Sequence, residues 1–184
     1  VVRVPDDTPK NISRYQDVGA YGVQVPMVHT AQQAAAIVRA MKFAPEGERG
    51  MSGGRGTAWG RIEDYRRVSN LETLIAVMCE SRQGVDNIEE IVRVPGVDAV
   101  FIGAFDLSQS LGVAGQTQHP VVEEAIAHVL AVCRQAGVIP GIVAPGVELA
   151  RRRIQQGFRY VTILDDMAFF ADSVAQRLKQ VKEG

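Results

Sequence analysis

Apolar positions along this chain fall into two alternating rhythms. Short runs rich in Val, Ile and aromatic residues recur between longer stretches in which apolar side chains return every three or four positions. The first rhythm predicts strands buried on both faces, the second amphipathic helices. Val1-Val2-Arg3-Val4 reads as a strand ending at Pro5. Thr8 then reads as an N-cap with Pro9 at the first helical position, Ile12, Tyr15 and Val18 as the buried stripe, and Gly19 as the stop. Tyr21 to Val28 predicts the next strand, with Pro26 near its end because proline cannot donate to a ladder. Ala31 to Met41 predicts an alanine-rich helix, and a helix around Ile62 to Val68 leads into Leu74-Ile75-Ala76-Val77-Met78-Cys79, a strand that ends in Glu80. Val85, Ile88, Ile91 and Val92 mark a helix closed by Pro95-Gly96. Val97 to Ile102 is a strand that breaks at Gly103 and delivers Asp106 just before a helical turn. A helix from Pro120 to Ala136, a strand Val138–Val143, a helix Val147–Gln156, a strand Tyr160–Leu164 and a helix from about Met167 to Val181 complete the pattern.

Strand and helix alternate six times, which predicts right-handed parallel crossovers and an α/β fold. An open doubly wound sheet and a TIM (β/α)8 barrel both fit this spacing. No strand is followed by G-x-G-x-x-G or by a Walker A sequence, so the barrel is preferred. Six units are two short of eight, and a barrel so opened exposes parallel edges and its interior. The expectation is a single catalytic domain over residues 1–184, N-terminally incomplete by two strand-helix units. The long glycine-rich excursion from Pro45 to Gly60, carrying Arg49, Arg55 and Trp59, is expected on the catalytic face. There it would meet the substrate or a neighbouring subunit, or else be a plain solvated loop.

Composition narrows the classes. With 46% hydrophobic and 22% charged residues and a net charge of −1, the chain offers no basic excess for nucleic acid. No apolar run approaches the ~20 residues that span a bilayer, and Val1 opens no recognisable signal peptide. Cys79 in a strand and Cys133 in a helix read as buried free thiols of a reducing compartment, so a cytoplasmic location is expected.

Chemistry concentrates at two strand ends. Glu80 and Asp106 end successive core strands, and hard cations such as Mg2+ and Mn2+ often take only one or two protein carboxylates. Such a pair leaves positions open for a bidentate oxygen ligand such as a 2-keto acid, whose enolate the metal stabilises. Amides around Phe105 and Asp106 could hold a substrate carboxylate at a helix N-terminus, and Arg3 would point at the same face. Taken singly, Asp106 also reads as an N-cap, Glu80 as the partner of Arg82 or Arg3, and Arg3 as a solvated charge.

Several segments carry a resemblance: Val2-Arg3-Val4-Pro5, Val25-Pro26-Met27-Val28, Glu48-Arg49-Gly50, Glu80-Ser81-Arg82 with Val85-Asp86-Asn87-Ile88, Val97 to Ser108, and Gln118-His119-Pro120. In these the chain resembles the HpcH/HpaI aldolase family, class II metal-dependent pyruvate aldolases on a TIM barrel. The resemblance implies Glu80 and Asp106 as ligands of a divalent metal (Mg2+ or Mn2+, with Co2+ and Zn2+ as further candidates). It implies Arg3 as the catalytic, enolate-stabilising arginine, and the backbone at Phe105 and Asp106 as the seat of the substrate carboxylate. The implied reaction cleaves or forms a 2-keto acid, such as 4-hydroxy-2-oxoheptanedioate or a 2-keto-3-deoxy sugar acid, through a pyruvate enolate and an aldehyde. A homo-oligomer, trimer or hexamer, is implied as well. Three departures stand out. The family's acid-base histidine loop has no counterpart, and none of His29, His119 and His128 takes that role. Met78 sits where many relatives carry glutamine, and Ala104-Phe105 where smaller or different residues are usual, so both join the substrate-binding candidates. A citrate-type or other carbon–carbon bond-forming synthase is therefore the alternative reaction, and an inactive interaction module the alternative class.

Overall fold

In the computed structural model, which describes residues 1–51 and 53–183, the hydrogen-bonded order of the strands repeats their order in the chain. Ser52, in the glycine-rich loop, and Gly184 lie outside the described residues. The strands are β1 (Val2–Arg3), β2 (Gly22–Val25), β3 (Leu74–Cys79), β4 (Ala99–Ile102), β5 (Ile139–Val143) and β6 (Tyr160–Thr162), and every pair is parallel. Sequential parallel neighbours with crossovers of one hand put every helix on the same face, so the sheet curls. A doubly wound sheet reverses strand order and is excluded. The six strands form a curled half-barrel of TIM type.

The helices are α1 (Pro9–Asp17), α2 (Ala31–Met41), α3 (Tyr65–Glu72), α4 (Arg82–Asp86), α5 (Ile88–Ile91), α6 (Ala104–Ser110), α7 (Pro120–Ala136), α8 (Val147–Gln156) and α9 (Asp166–Glu183). Alternation along each strand then sorts the side chains. Val23, Val25, Ile75, Val77, Cys79, Val100, Ile102 and Ile142 pack outward against Ile12, Ile37, Met41, Ile88, Ile91, Leu107, Ile126 and Val129 of the helices. Each such side chain contributes about 1.5–3 kcal/mol on leaving water. This layer is the core. The α9 helix differs, since Met167, Phe169, Phe170, Val174, Leu178 and Val181 are all exposed. Among the described residues no helix is long and apolar enough to cross a membrane.

The opposite sheet face lines the barrel lumen. Register places Arg3 beside Gln24, Gln24 beside Ala76, Met78 beside Phe101, Phe101 beside Gly141, and Gly141 beside Tyr160. The Phe101 and Tyr160 rings meet at 5.0 Å between centroids. Gly141 makes that contact possible, because a Cβ there would lie 2.7 Å from Phe101 Cδ2 and 3.1 Å from Tyr160 Cδ1.

Several local readings need correction. Thr8 precedes α1, but its hydroxyl does not cap the helix; it donates to Asp6 Oδ1 at 2.7 Å. The helix expected around Ile62 begins only at Tyr65, after Asp64 turns through the left-handed region at φ 50°. The single helix expected from Val85 to Val92 is two, α4 and α5, divided at Asn87, whose side-chain amide donates to the His29 carbonyl at 2.8 Å.

The glycine-rich loop is the largest correction. It follows the end of α2 and packs on the end of α1, where the chain turns into β2. Arg49 donates to Asp17 Oδ1 at 2.8 Å and to Ser69 Oγ at 3.3 Å, with its guanidinium 4.6 Å from the Phe43 ring centre. Gly56 lies against the Gln16 and Asp17 carbonyls, where a Cβ would approach to 2.7 Å. These anchors hold the loop at the N-terminal ends of the strands, the end opposite Glu80. Arg49 is buried and committed, so it fastens the loop rather than meeting a substrate.

Two predictions follow from this packing. Gly141→Ala overpacks the lumen and should lower stability by about 1–3 kcal/mol, read from the urea midpoint at unchanged slope. Burial pushes both the Cys79 and the Cys133 thiols up to about 12. At pH 8 both should therefore stay unmodified by a thiol reagent in the native state and react on unfolding, whereas a free thiol near 8.5 reacts at once.

Candidate active site

Two loop segments converge on Glu80. It leaves the C-terminal end of β3 and is only 3% exposed. Beyond β2 the chain turns at Met27, which adopts the left-handed conformation at φ 54°. That turn directs the Met27 amide at Glu80 Oε1, 2.8 Å away, and the next amide, Val28, at the Met78 carbonyl, 3.2 Å away. From the other side Gly103 leaves the necessary space. A Cβ at Gly103 would collide with Glu80 Oε2 and lie 3.0 Å from the glutamate Cβ.

Gly103 is also the N-cap of α6, so Asp106 sits inside the first helical turn and not ahead of it. The helical ladder begins with the Leu107 amide to the Gly103 carbonyl at 3.0 Å. The amides of Ala104, Phe105 and Asp106 therefore have no helical acceptor. Ala104 is buried, while Phe105 is 59% exposed. Arg3 ends β1 on the lumen face, in register with Gln24.

Electrostatics tie these groups together. Burial raises the Glu80 carboxyl; the Met27 amide lowers it, the nearby Asp106 charge raises it, and the Arg3 guanidinium lowers it. The balance is upward. Burying a carboxylate costs several kcal/mol, and one hydrogen bond to a charged group returns about 1.5–3 kcal/mol. Glu80 is thus an undercompensated anion beside a second carboxylate, an arrangement that favours a cation. Among the described residues neither carboxylate is in an ion pair, and the alternative pairing of Glu80 with Arg82 is not formed. Among those residues no group of three or more His, Cys, Asp and Glu side chains could hold a metal. Two carboxylates with open positions still fit a hard divalent ion, which keeps several waters.

Below Glu80 the lumen holds a polar chain that periodicity alone does not reveal. The Tyr160 hydroxyl donates to Gln24 Oε1 at 2.9 Å, and Gln24 Nε2 donates to Met78 Sδ at 3.3 Å. One signal was available: Gln24 stands between two core valines, at a position that alternation sends into the lumen. Other polar residues behave structurally. His119 Nδ1 accepts the Val121 amide at the start of α7, and Asp165 Oδ1 accepts the Ala168 amide at the start of α9. His29 faces Ser81 through its Nδ1, 2.7 Å from the serine Oγ.

Comparison with known proteins gives consistent matches. The model of the HpcH/HpaI aldolase/citrate lyase family matches residues 1–172. A hydroxypyruvate/pyruvate aldolase of Chromohalobacter salexigens is 40% identical over 184 residues, covering 99% of this chain and 72% of the relative. A 5-keto-4-deoxy-D-glucarate aldolase of Klebsiella pneumoniae is 42% identical over 179 residues, covering 97% and 70%. The crystal structure of an HpcH/HpaI aldolase/citrate lyase family protein from Burkholderia cenocepacia superimposes with a TM-score of 0.93 at 39% identity, covering 98% of this chain and 72% of that one.

The contact between Gly103 and Glu80 is open to test. Gly103→Ala should displace the carboxylate, lower stability by about 1–3 kcal/mol, and speed hydrogen exchange at the Met27 amide. Unchanged protection of that amide would show that the glutamate does not depend on the missing Cβ.

Proposed function

The chain belongs to the HpcH/HpaI aldolase/citrate lyase family, and from that premise we propose that it is a divalent-metal-dependent, pyruvate-type aldolase. Residues 1–184 are read as one catalytic domain acting on a small 2-keto acid. The observation that carries this reading is the undercompensated Glu80 carboxylate, held at 2.8 Å by the Met27 amide beside Asp106 at the next strand end.

Glu80 and Asp106 are the carboxylates that would hold Mg2+ or Mn2+. A bound divalent ion supplies Lewis-acid polarisation of the 2-keto oxygen. Arg3 stabilises the negative charge that gathers on that oxygen as the carbon–carbon bond opens and its electron pair enters the enolate. The aldehyde forms as the neighbouring hydroxyl gives up its proton to water, and the enolate carbon takes a proton from water to become pyruvate. The amides of Phe105 and Asp106, free of helical acceptors, bind the substrate carboxylate. Ala104 is small where the chain passes the site, and Met78 belongs to its floor. Substrates of this class include 4-hydroxy-2-oxoheptanedioate and 2-keto-3-deoxy sugar acids, which the comparison with 5-keto-4-deoxy-D-glucarate aldolase supports. Assembly as a homo-oligomer, trimer or hexamer, belongs to the same reading and is supported by the exposed apolar positions of α9.

Calorimetric titration with Mn2+ tests the assignment. Wild-type protein should bind the ion, and Glu80→Gln should lose binding while remaining folded; retained affinity sinks the ligand role. Pyruvate release from 2-keto-3-deoxy sugar acids should cease on chelation and return with Mn2+.

A further inference from the structure

Gln24 has no evident structural reason to be polar. Its neighbours Val23 and Val25 pack outward into the core, while Gln24 turns into the lumen and is buried. Burying an amide without partners is unfavourable, so its partners matter. One is good: the Tyr160 hydroxyl, 2.9 Å from Oε1, reaching across the lumen from β6 to β2. The other is poor. Nε2 donates to the thioether of Met78 at 3.3 Å, and thioether sulfur is a weak acceptor. The amide cannot be reversed to improve this, since its oxygen would then face the sulfur and no proton would lie between them. Among the described residues no second acceptor takes the other hydrogen of Nε2.

The placement of this donor is specific. Met78 is two residues before Glu80 on the same strand face, and Arg3 is the register partner of Gln24 on β1. Gln24 therefore lies on the strand between the arginine and the glutamate, level with Arg3 and with Ala76, on the lumen side below Glu80. We propose that Gln24 is a substrate-binding residue whose amide N–H leaves the Met78 sulfur and donates to an oxygen of the bound 2-keto acid. Tyr160 is its positioning residue and acts only through Oε1. Met78 holds the donor in place until a stronger, charged acceptor arrives. This rests on the aldolase reading of the site and adds a group from β2 and one from β6 to it.

The magnitudes favour this exchange. A hydrogen bond to a charged acceptor contributes about 1.5–3 kcal/mol, more than any thioether returns, so loss of the donor should weaken binding by about tenfold or more. Because the contact is made to the bound acid before the bond opens, its loss falls on KM and on ligand affinity more than on kcat.

The test uses pyruvate titrated into the Mn2+-loaded full chain, with Gln24→Met, Gln24→Glu, Tyr160→Phe and the double variant Gln24→Met/Tyr160→Phe. Mn2+ affinity should be unchanged in the three variants that add no charge. Gln24→Met should weaken pyruvate binding about tenfold or more. Gln24→Glu keeps an acceptor for Tyr160 and the side-chain shape, yet should weaken it at least as much. Tyr160→Phe should cost a few-fold alone and nothing further on top of Gln24→Met. Pyruvate affinity within twofold of wild type in a folded Gln24→Met protein overturns the inference and leaves the aldolase reading standing. Additive losses in the double variant overturn the part given to Tyr160. Wild-type protein that binds Mn2+ but no 2-keto acid overturns the aldolase reading, and this inference with it.

Discussion

Taking one carboxylate out of water at the end of β3 imposes conditions that four strands have to meet. Glu80 needs room, a donor and a counter-charge, and each comes from a different element. The room is the missing Cβ of Gly103 after β4, and the donor is the Met27 amide, turned inward by a left-handed residue after β2. The opposing charge is Arg3 at the end of β1, and the added acidity of the site is Asp106 in α6. Only a parallel sheet whose strands follow chain order sets these ends side by side. The site is thus a consequence of topology, and the local irregularities of two loops serve one side chain.

Much of this was legible from the residues. The helices Ala31–Met41, Pro120–Ala136 and Val147–Gln156 appear where their periodicity and stops place them, because long amphipathic stretches with clear caps leave little choice. Glu80 is readable as a carboxylate at the end of a buried apolar run, and Asp106 as one carried just past the next such run, although the helix that holds it begins earlier than the residues suggest. What periodicity misjudged depends on contacts remote in sequence. Thr8 has the chemistry of a cap, yet Asp6 claims its hydroxyl first. The length and glycines of the loop around Arg49 predict a place on the catalytic face. Asp17 and Ser69, far off in the chain, draw it instead to the other end of the barrel. The division at Asn87 likewise depends on a carbonyl of His29, which no window around Val85 to Val92 contains.

The two ends of the strands carry different burdens. At the N-terminal end Arg49 is buried with Asp17, Ser69 and the Phe43 and Tyr65 rings about it, so its charge is matched and its stem packed. That arrangement fastens the excursion between α2 and α3 and leaves nothing reactive. At the C-terminal end the charges are imperfectly matched: two carboxylates face one guanidinium, and helix amides stand without acceptors. Stability and chemistry are thereby separated along the strand axis, as barrel architecture permits.

The lumen between those ends shows which demand prevails there. Gly141, Phe101 and the ring of Tyr160 pack as an apolar filling would, and an aliphatic residue at position 24 would complete it at less cost than an amide. A glutamine held by a tyrosine 136 positions away and resting on a sulfur adds little to stability. Folding alone gives no reason for such a pair. A buried donor kept in fixed orientation with a weak acceptor does have a use where a charged ligand is to arrive, because the exchange of acceptor is favourable and needs no rearrangement of the strands. The polar chain through Tyr160, Gln24 and Met78 is therefore better understood as part of the site above it than as part of the core beside it.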